Sequence, residues 1–154
     1  MPETCDCAAL PHLVDALEQM AFVMVMPAET VPAAPAGAML ATIRFSGGPV
    51  RGTVRLLAGR QLGELVACNI AGPDGSAEGP GITAADALRE LLNVTTGSLL
   101  AAWEGLPAGT VFEMSLPEAR EIDSAEWQRL LGAGGFAVLE AEGHPVAIGL
   151  SMED

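Results

Sequence analysis

The stretch Thr83–Glu104, TAADALRELLNVTTGSLLAAWE, decides how the rest of the chain is read. Thr83 is suited to an N-cap, and Asp86 three residues on resembles a capping box. Gly105, Pro107 and Gly109 stop the helix beyond Glu104. At about 100° per residue, Leu88, Leu91, Leu92, Thr95, Leu99, Ala102 and Trp103 gather on one side. With Asp86 at zero, Glu90 falls near about 40°, Asn93 near about −20° and Gly97 near about 20°. The spacing predicts a long helix that buries its leucines and turns a narrow stripe of Asp86, Glu90, Asn93 and Gly97 outward.

The sequence before this helix alternates. Met39 to Ser46 sets Ile43 and Phe45 against Thr42 and Arg44. Gly47 and Gly48 signal a turn, and Val50 to Leu57 resumes the pattern, so a β-hairpin is expected here. Earlier still, Pro11 fits a helix start, followed by Leu13, Leu17, Met20 and Met24 at helical spacing. Pro27 ends that helix, the proline-rich run Pro27 to Gly37 reads as a loop, and residues 1–9 read as a flexible lead-in. Gly59 to Ile70 is expected as a shorter helix, and Gly72 to Pro80 as a loop.

After the long helix, Thr110 to Leu116 reads as a strand, and Ser124 caps a short helix through Leu131. A closing hairpin follows, Phe136 to Glu140 and Val146 to Leu150, joined by a turn at Gly143-His144-Pro145. Strands come in runs rather than alternating singly with helices. The expectation is one α+β domain over residues 1–154, with a mostly antiparallel or mixed sheet and helices packed on one side.

Composition narrows the function classes. Twenty acidic residues against seven basic ones give a net charge of −13, which opposes nucleic acid and anionic membranes as partners. No apolar run is long enough to span a bilayer, and Ala21 to Pro27 is too short for a secretory leader, so a cytoplasmic location is expected. Cys5, Cys7 and Cys68 are odd in number and make no disulfide framework; Cys68 reads as a small core residue, and no metal is assigned. His12 and His144 read as surface residues, and Trp103 and Trp127 as packing residues at helix ends, with Trp127 able to face a partner.

The outward stripe carries the chemistry. Asn is a mediocre helix former and Gly a poor one, costing about 1 kcal/mol against Ala. A solvated face more naturally carries Lys, Glu, Gln and Arg. Glu90 and Asn93 are one turn apart and so are neighbours. A carboxylate can grip a lysine, and a carboxamide can hold a water in a fixed direction, as hydrolysis of a phosphoryl group requires. The plainer alternative is a hydrated face whose Gly97 lets a neighbouring element pack closely.

The run Asp86-Ala87-Leu88-Arg89-Glu90-Leu91-Leu92-Asn93-Val94-Thr95-Thr96-Gly97 resembles the D-x-x-x-E-x-x-N-x-x-x-G helix of the CheC/CheX-type chemotaxis phosphatases. Leu17-Glu18-Gln19-Met20-Ala21-Phe22 is similar to the E-x-M-A-F opening of that family. A single E-x-x-N places the resemblance nearer the CheX branch. It implies a phosphatase acting on a phosphorylated CheY-like response regulator. Glu90 would dock on the regulator's lysine, Asn93 would orient the attacking water, and Asp86 and Gly97 would belong to the partner-binding surface. It also implies a homodimer, no cofactor of its own, and Mg²⁺ supplied by the regulator. Ser98 and Leu99 after Gly97 depart from the family run. A second reading is a non-catalytic interaction domain that binds a signalling partner through the same helix.

Overall fold

The computed structural model describes residues 2–20, 23–28, 30–75 and 83–153. Ala21 and Phe22 of the first-helix resemblance, residues 76–80 of the expected loop with 81 and 82 beyond it, and the side chains of Cys5, Cys7 and Met20 lie outside the described set. In chain order the elements are α1 (Pro2–Met20), β1 (Val25–Pro27), β2 (Met39–Gly47), β3 (Val50–Ala58), α2 (Arg60–Gly75), α3 (Ala84–Ala101), β4 (Glu113–Met114), β5 (Glu118–Glu121), α4 (Ser124–Gly132), β6 (Phe136–Ala141) and β7 (His144–Glu153).

The seven strands form one antiparallel sheet in the order β1-β6-β7-β3-β2-β4, with β5 also on β2. Its alternation writes two apolar faces. Met39, Ala41, Ile43 and Phe45 of β2, Val54, Leu56 and Ala58 of β3, and Val146, Ile148 and Leu150 of β7 share one face. α1, α2 and α3 cover that face, with α3 between the other two and over β2 and β3. This is the α+β arrangement expected from the runs of strands. The opposite face is partly covered as well. Ala38, Leu40, Leu57 and Ala147 pack against Trp127 and Leu131 of α4. Trp127 is fully buried and donates its indole N–H to the Pro32 carbonyl at 3.1 Å, so it packs rather than faces a partner. Arg120 of β5 donates to both carboxylate oxygens of Glu126, at 3.1 and 2.5 Å. These bonds tie the strand to α4 and hold the Glu126 carboxyl below the usual carboxylate range.

Several boundaries differ from expectation. α1 begins at Pro2, not Pro11, so residues 2–9 are helical. The reason is packing: Ala9, Leu13, Ala16 and Leu17 make one buried stripe that runs through Pro11, whose ring faces solvent. Met24 lies past the end of that helix and is exposed, and the next residues form the edge strand β1, paired with β6. The closing turn sits at Glu142-Gly143, not at Gly143-His144-Pro145, because His144 already pairs with Ala141. Both turn residues have positive φ, 52° and 80°, as a two-residue primed turn requires. Glu142 also accepts a hydrogen bond from the Met24 amide at 2.7 Å, which fastens β1 to the hairpin. Cys68 is exposed rather than buried. Val66 and Ala67 take the inward side of α2, and Cys68 lies about 200° from Val66. α2 itself runs on to Gly75, into the expected loop.

Gly63 packs closely against the first residue of α3. A Cβ added there would stand 2.8 Å from the Ala84 Cβ and 2.9 Å from the Ala84 carbonyl oxygen. Backbone cannot give way as a side-chain tip can, so the clash outweighs the helix propensity gained. Gly63→Ala is expected to lower stability by about 1–2 kcal/mol, read as a lower denaturant midpoint.

Candidate functional site

α3 forms as its sequence directs. Thr83 is the N-cap, and its hydroxyl accepts the Asp86 amide at 3.0 Å. The Asp86 carboxylate completes no reciprocal box; it pairs with Arg89 one turn on. Ala87, Leu88, Leu91, Leu92, Thr95, Thr96, Leu99 and Leu100 are buried. The helix ends at Ala101, and Ala102, its C-cap, is exposed rather than inward. Glu90 is exposed, while Asp86, Asn93 and Gly97 are half-buried. The four stripe residues therefore share one outward face.

Glu90 and Asn93 are unengaged. Among the described residues, no hydrogen bond or ion pair holds either side chain. Gly97 stands open too: among the described residues, a Cβ added there would meet nothing within 4 Å. No described element of this chain therefore needs the glycine for close packing. Its cost to the helix is uncompensated by the fold. Gly97→Ala is accordingly expected to raise stability by about 1 kcal/mol, seen as a higher denaturant midpoint at unchanged slope.

The second wall of the site comes from a segment to which the sequence assigned a strand but no functional residue. The strand expected over Thr110–Leu116 narrows to Glu113–Met114, and pairing with β2 resumes at Glu118. Between the pairs Phe45–Met114 and Thr42–Glu118, β2 has two residues, Ile43 and Arg44. The facing segment has three, Ser115, Leu116 and Pro117. One extra residue makes a β-bulge, and Pro117 cannot donate to the ladder. Ser115 anchors the bulge: its amide donates to the Arg44 carbonyl at 2.8 Å, and its hydroxyl accepts the Arg44 amide at 2.9 Å. Leu116 is thrown outward and is 86% exposed. The signal was there in Pro117, which directly follows the strand-like run Thr110–Leu116.

The bulge and the stripe enclose a recess of about 500 Å³ lined by Asp86, Arg89, Glu90 and Asn93 on one side and Met114 to Pro117 on the other. Arg89, tethered by Asp86, is the other lining residue the sequence reading did not single out. An unpaired carboxylate and an unpaired carboxamide thus stand beside an apolar lip. Such a recess can take a cation at Glu90 and orient a small polar group at Asn93, while Leu116 offers area to a protein surface. His12 lies across α3, sharing a hydrogen bond with Ser98 at 2.8 Å, away from this recess. His144 sits in β7. No helix among the described residues is long and apolar enough to cross a membrane.

No family model matches the chain, and no curated protein matches it. Solved structures do. The chemotaxis protein CheX of Vibrio vulnificus superposes with a TM-score of 0.63 at 19% identity, over 96% of this chain and 95% of that one. CheX of Desulfovibrio desulfuricans gives 0.64 at 16% identity, over 97% and 99%. A CheX–CheY–BeF₃–Mg²⁺ complex of Borrelia burgdorferi gives 0.63 at 13% identity, over 96% of each chain. Across nearly its whole length, the chain has the fold of the CheX and CheC-like chemotaxis proteins.

Proposed function

We propose that this protein binds a CheY-like response regulator and accelerates hydrolysis of its phosphoaspartate. One observation carries the reading: Glu90 and Asn93, both free of partners among the described residues, stand side by side in one recess on a fold shared with a CheX that is seen in complex with CheY. Glu90 accepts hydrogen bonds from the ammonium of the regulator's active-site lysine and so fixes the approach. Asn93 enters beside the acyl phosphate and holds a water in line with the bond to be broken. The chain supplies no nucleophile, and no covalent intermediate forms on it. Mg²⁺ belongs to the regulator and neutralises charge on the phosphoryl oxygens.

Asp86 acts through Arg89, which it holds at the edge of the recess, and Gly97 leaves the regulator room to lie flat on α3. We place the protein in the cytoplasm, with its regulator, and assign it to homodimers that carry one such stripe on each copy.

The exposed Leu116 favours a second reading, a non-catalytic module that holds the phosphorylated regulator. One assay separates the two. The chain is mixed with a phosphorylated CheY-like receiver domain and Mg²⁺, and inorganic phosphate is followed. Faster release than from the receiver alone supports the phosphatase. Binding that depends on phosphorylation, without faster release, supports the module.

A further inference from the structure

The stripe on α3 does not end at Gly97. One turn on, Ala101 continues it at about 60° on the same wheel. There the neighbouring surface changes character. A second recess of about 480 Å³ runs from Gly97 past Leu100, Ala101 and Trp103 to Leu106, Phe112 and Met114. Met114 lines both recesses, so the two meet at that residue.

None of the residues lining the second recess is ionisable, in a chain of net charge −13. Beneath it lies an aromatic trio. The Phe45 and Trp103 rings are 5.9 Å apart, Phe45 and Phe112 6.3 Å, and Trp103 and Phe112 6.4 Å, all tilted or edge-on. Phe45 is buried, and Trp103 and Phe112 are half-exposed. Trp103 and Phe112 line the recess, so their rings lie within reach of an incoming one, and tilted or edge-on contact is a geometry aromatic pairs favour.

We infer that this neutral recess is the anchor pocket for a large aromatic side chain of the same response regulator, seated while Glu90 and Asn93 engage its phosphoryl site. The inference rests on the function proposed above and adds a second point of contact to it. The occupant is neutral because no charge lines the pocket. The shared wall at Met114, and Gly97 one turn from Asn93, put it within the footprint of the same partner. A rise of 1.5 Å per residue sets its distance: the anchor lies about 6–12 Å along α3 from Asn93, the span from Gly97 to Ala101. An open Gly97, which no neighbour among the described residues explains, is the saddle the partner crosses between the two contacts.

The test uses a CheY-like receiver domain loaded with beryllofluoride and Mg²⁺, for binding, and the phosphorylated receiver, for turnover. Ala101 is exposed at the rim, so Ala101→Trp fills the pocket without disturbing the core. Leu106→Asp puts a charge into it, and Val31→Asp, at a residue 63% exposed that lines neither recess, is the control. Both pocket variants should weaken binding by at least about tenfold, as loss of a central anchor does, and raise KM with kcat retained. The control should behave as wild type. If both pocket variants bind and turn over like wild type, the anchor pocket is refuted while the phosphatase reading stands. If wild type binds with the expected losses in the variants but does not speed phosphate release, the anchor stands and the phosphatase reading falls.

Discussion

Asn93→Ala is expected to slow dephosphorylation of the receiver by on the order of 10²–10³-fold, the usual loss when a single preorganised polar group at a transition state is removed. The side chain is half-buried, free of partners among the described residues, and one turn from Glu90. The substitution leaves the fold intact, because Ala is the better helix former by a few tenths of a kcal/mol. Lost turnover therefore cannot be blamed on unfolding, and thermal melting alongside the phosphate assay checks this. Binding of the beryllofluoride-loaded receiver should change little, since no water needs orienting there. An unchanged rate of phosphate release in this variant would remove the proposed role of the carboxamide.

Glu90→Ala should show the opposite division. Loss of the carboxylate leaves a partner ammonium desolvated and unpaired, which costs about 2–5 kcal/mol in docking. That corresponds to a KM raised by roughly 30-fold or more, with kcat at saturating receiver largely kept. Glu90 makes no ion pair among the described residues, so the fold loses nothing when it goes. Glu90→Gln keeps the shape and removes the charge, and a partial recovery of affinity over Ala would separate hydrogen bonding from charge. The docking effect should shrink as salt rises, because part of the attraction is screened. A KM that does not move in Glu90→Ala would take the lysine contact away from this residue.

The two variants sort the site by what each group touches. Asn93 acts on the reacting water and registers in kcat; Glu90 acts on the partner and registers in KM. Gly97 and the pocket beyond it register in binding alone. Asp86 has a different standing, since its carboxylate is already spent on Arg89. Its removal would free Arg89 at the edge of the recess, so its effect on docking passes through that guanidinium.

What the sequence determined by itself is local. The 3.6-residue period of Leu88, Leu91, Leu92 and Leu99, with Thr83 to cap them, makes α3 and dictates that Glu90 and Asn93 emerge on one side. The period of two in Met39–Leu57 makes the hairpin that α3 lies on. Tertiary structure decided everything that depends on residues distant along the chain. The bulge at Ser115–Pro117 exists because β2 imposes its register on a segment with one residue too many, and that count is visible only when the two are paired. Helix α1 runs through Pro11 because Ala9 and Leu13 are buried together, which outweighs a lost backbone hydrogen bond. Cys68 turned outward because the apolar stripe of α2 was fixed by its neighbours. Periodicity places a residue on a face; only packing across the sheet decides what that face meets, and the recess beside Asn93 is made of both.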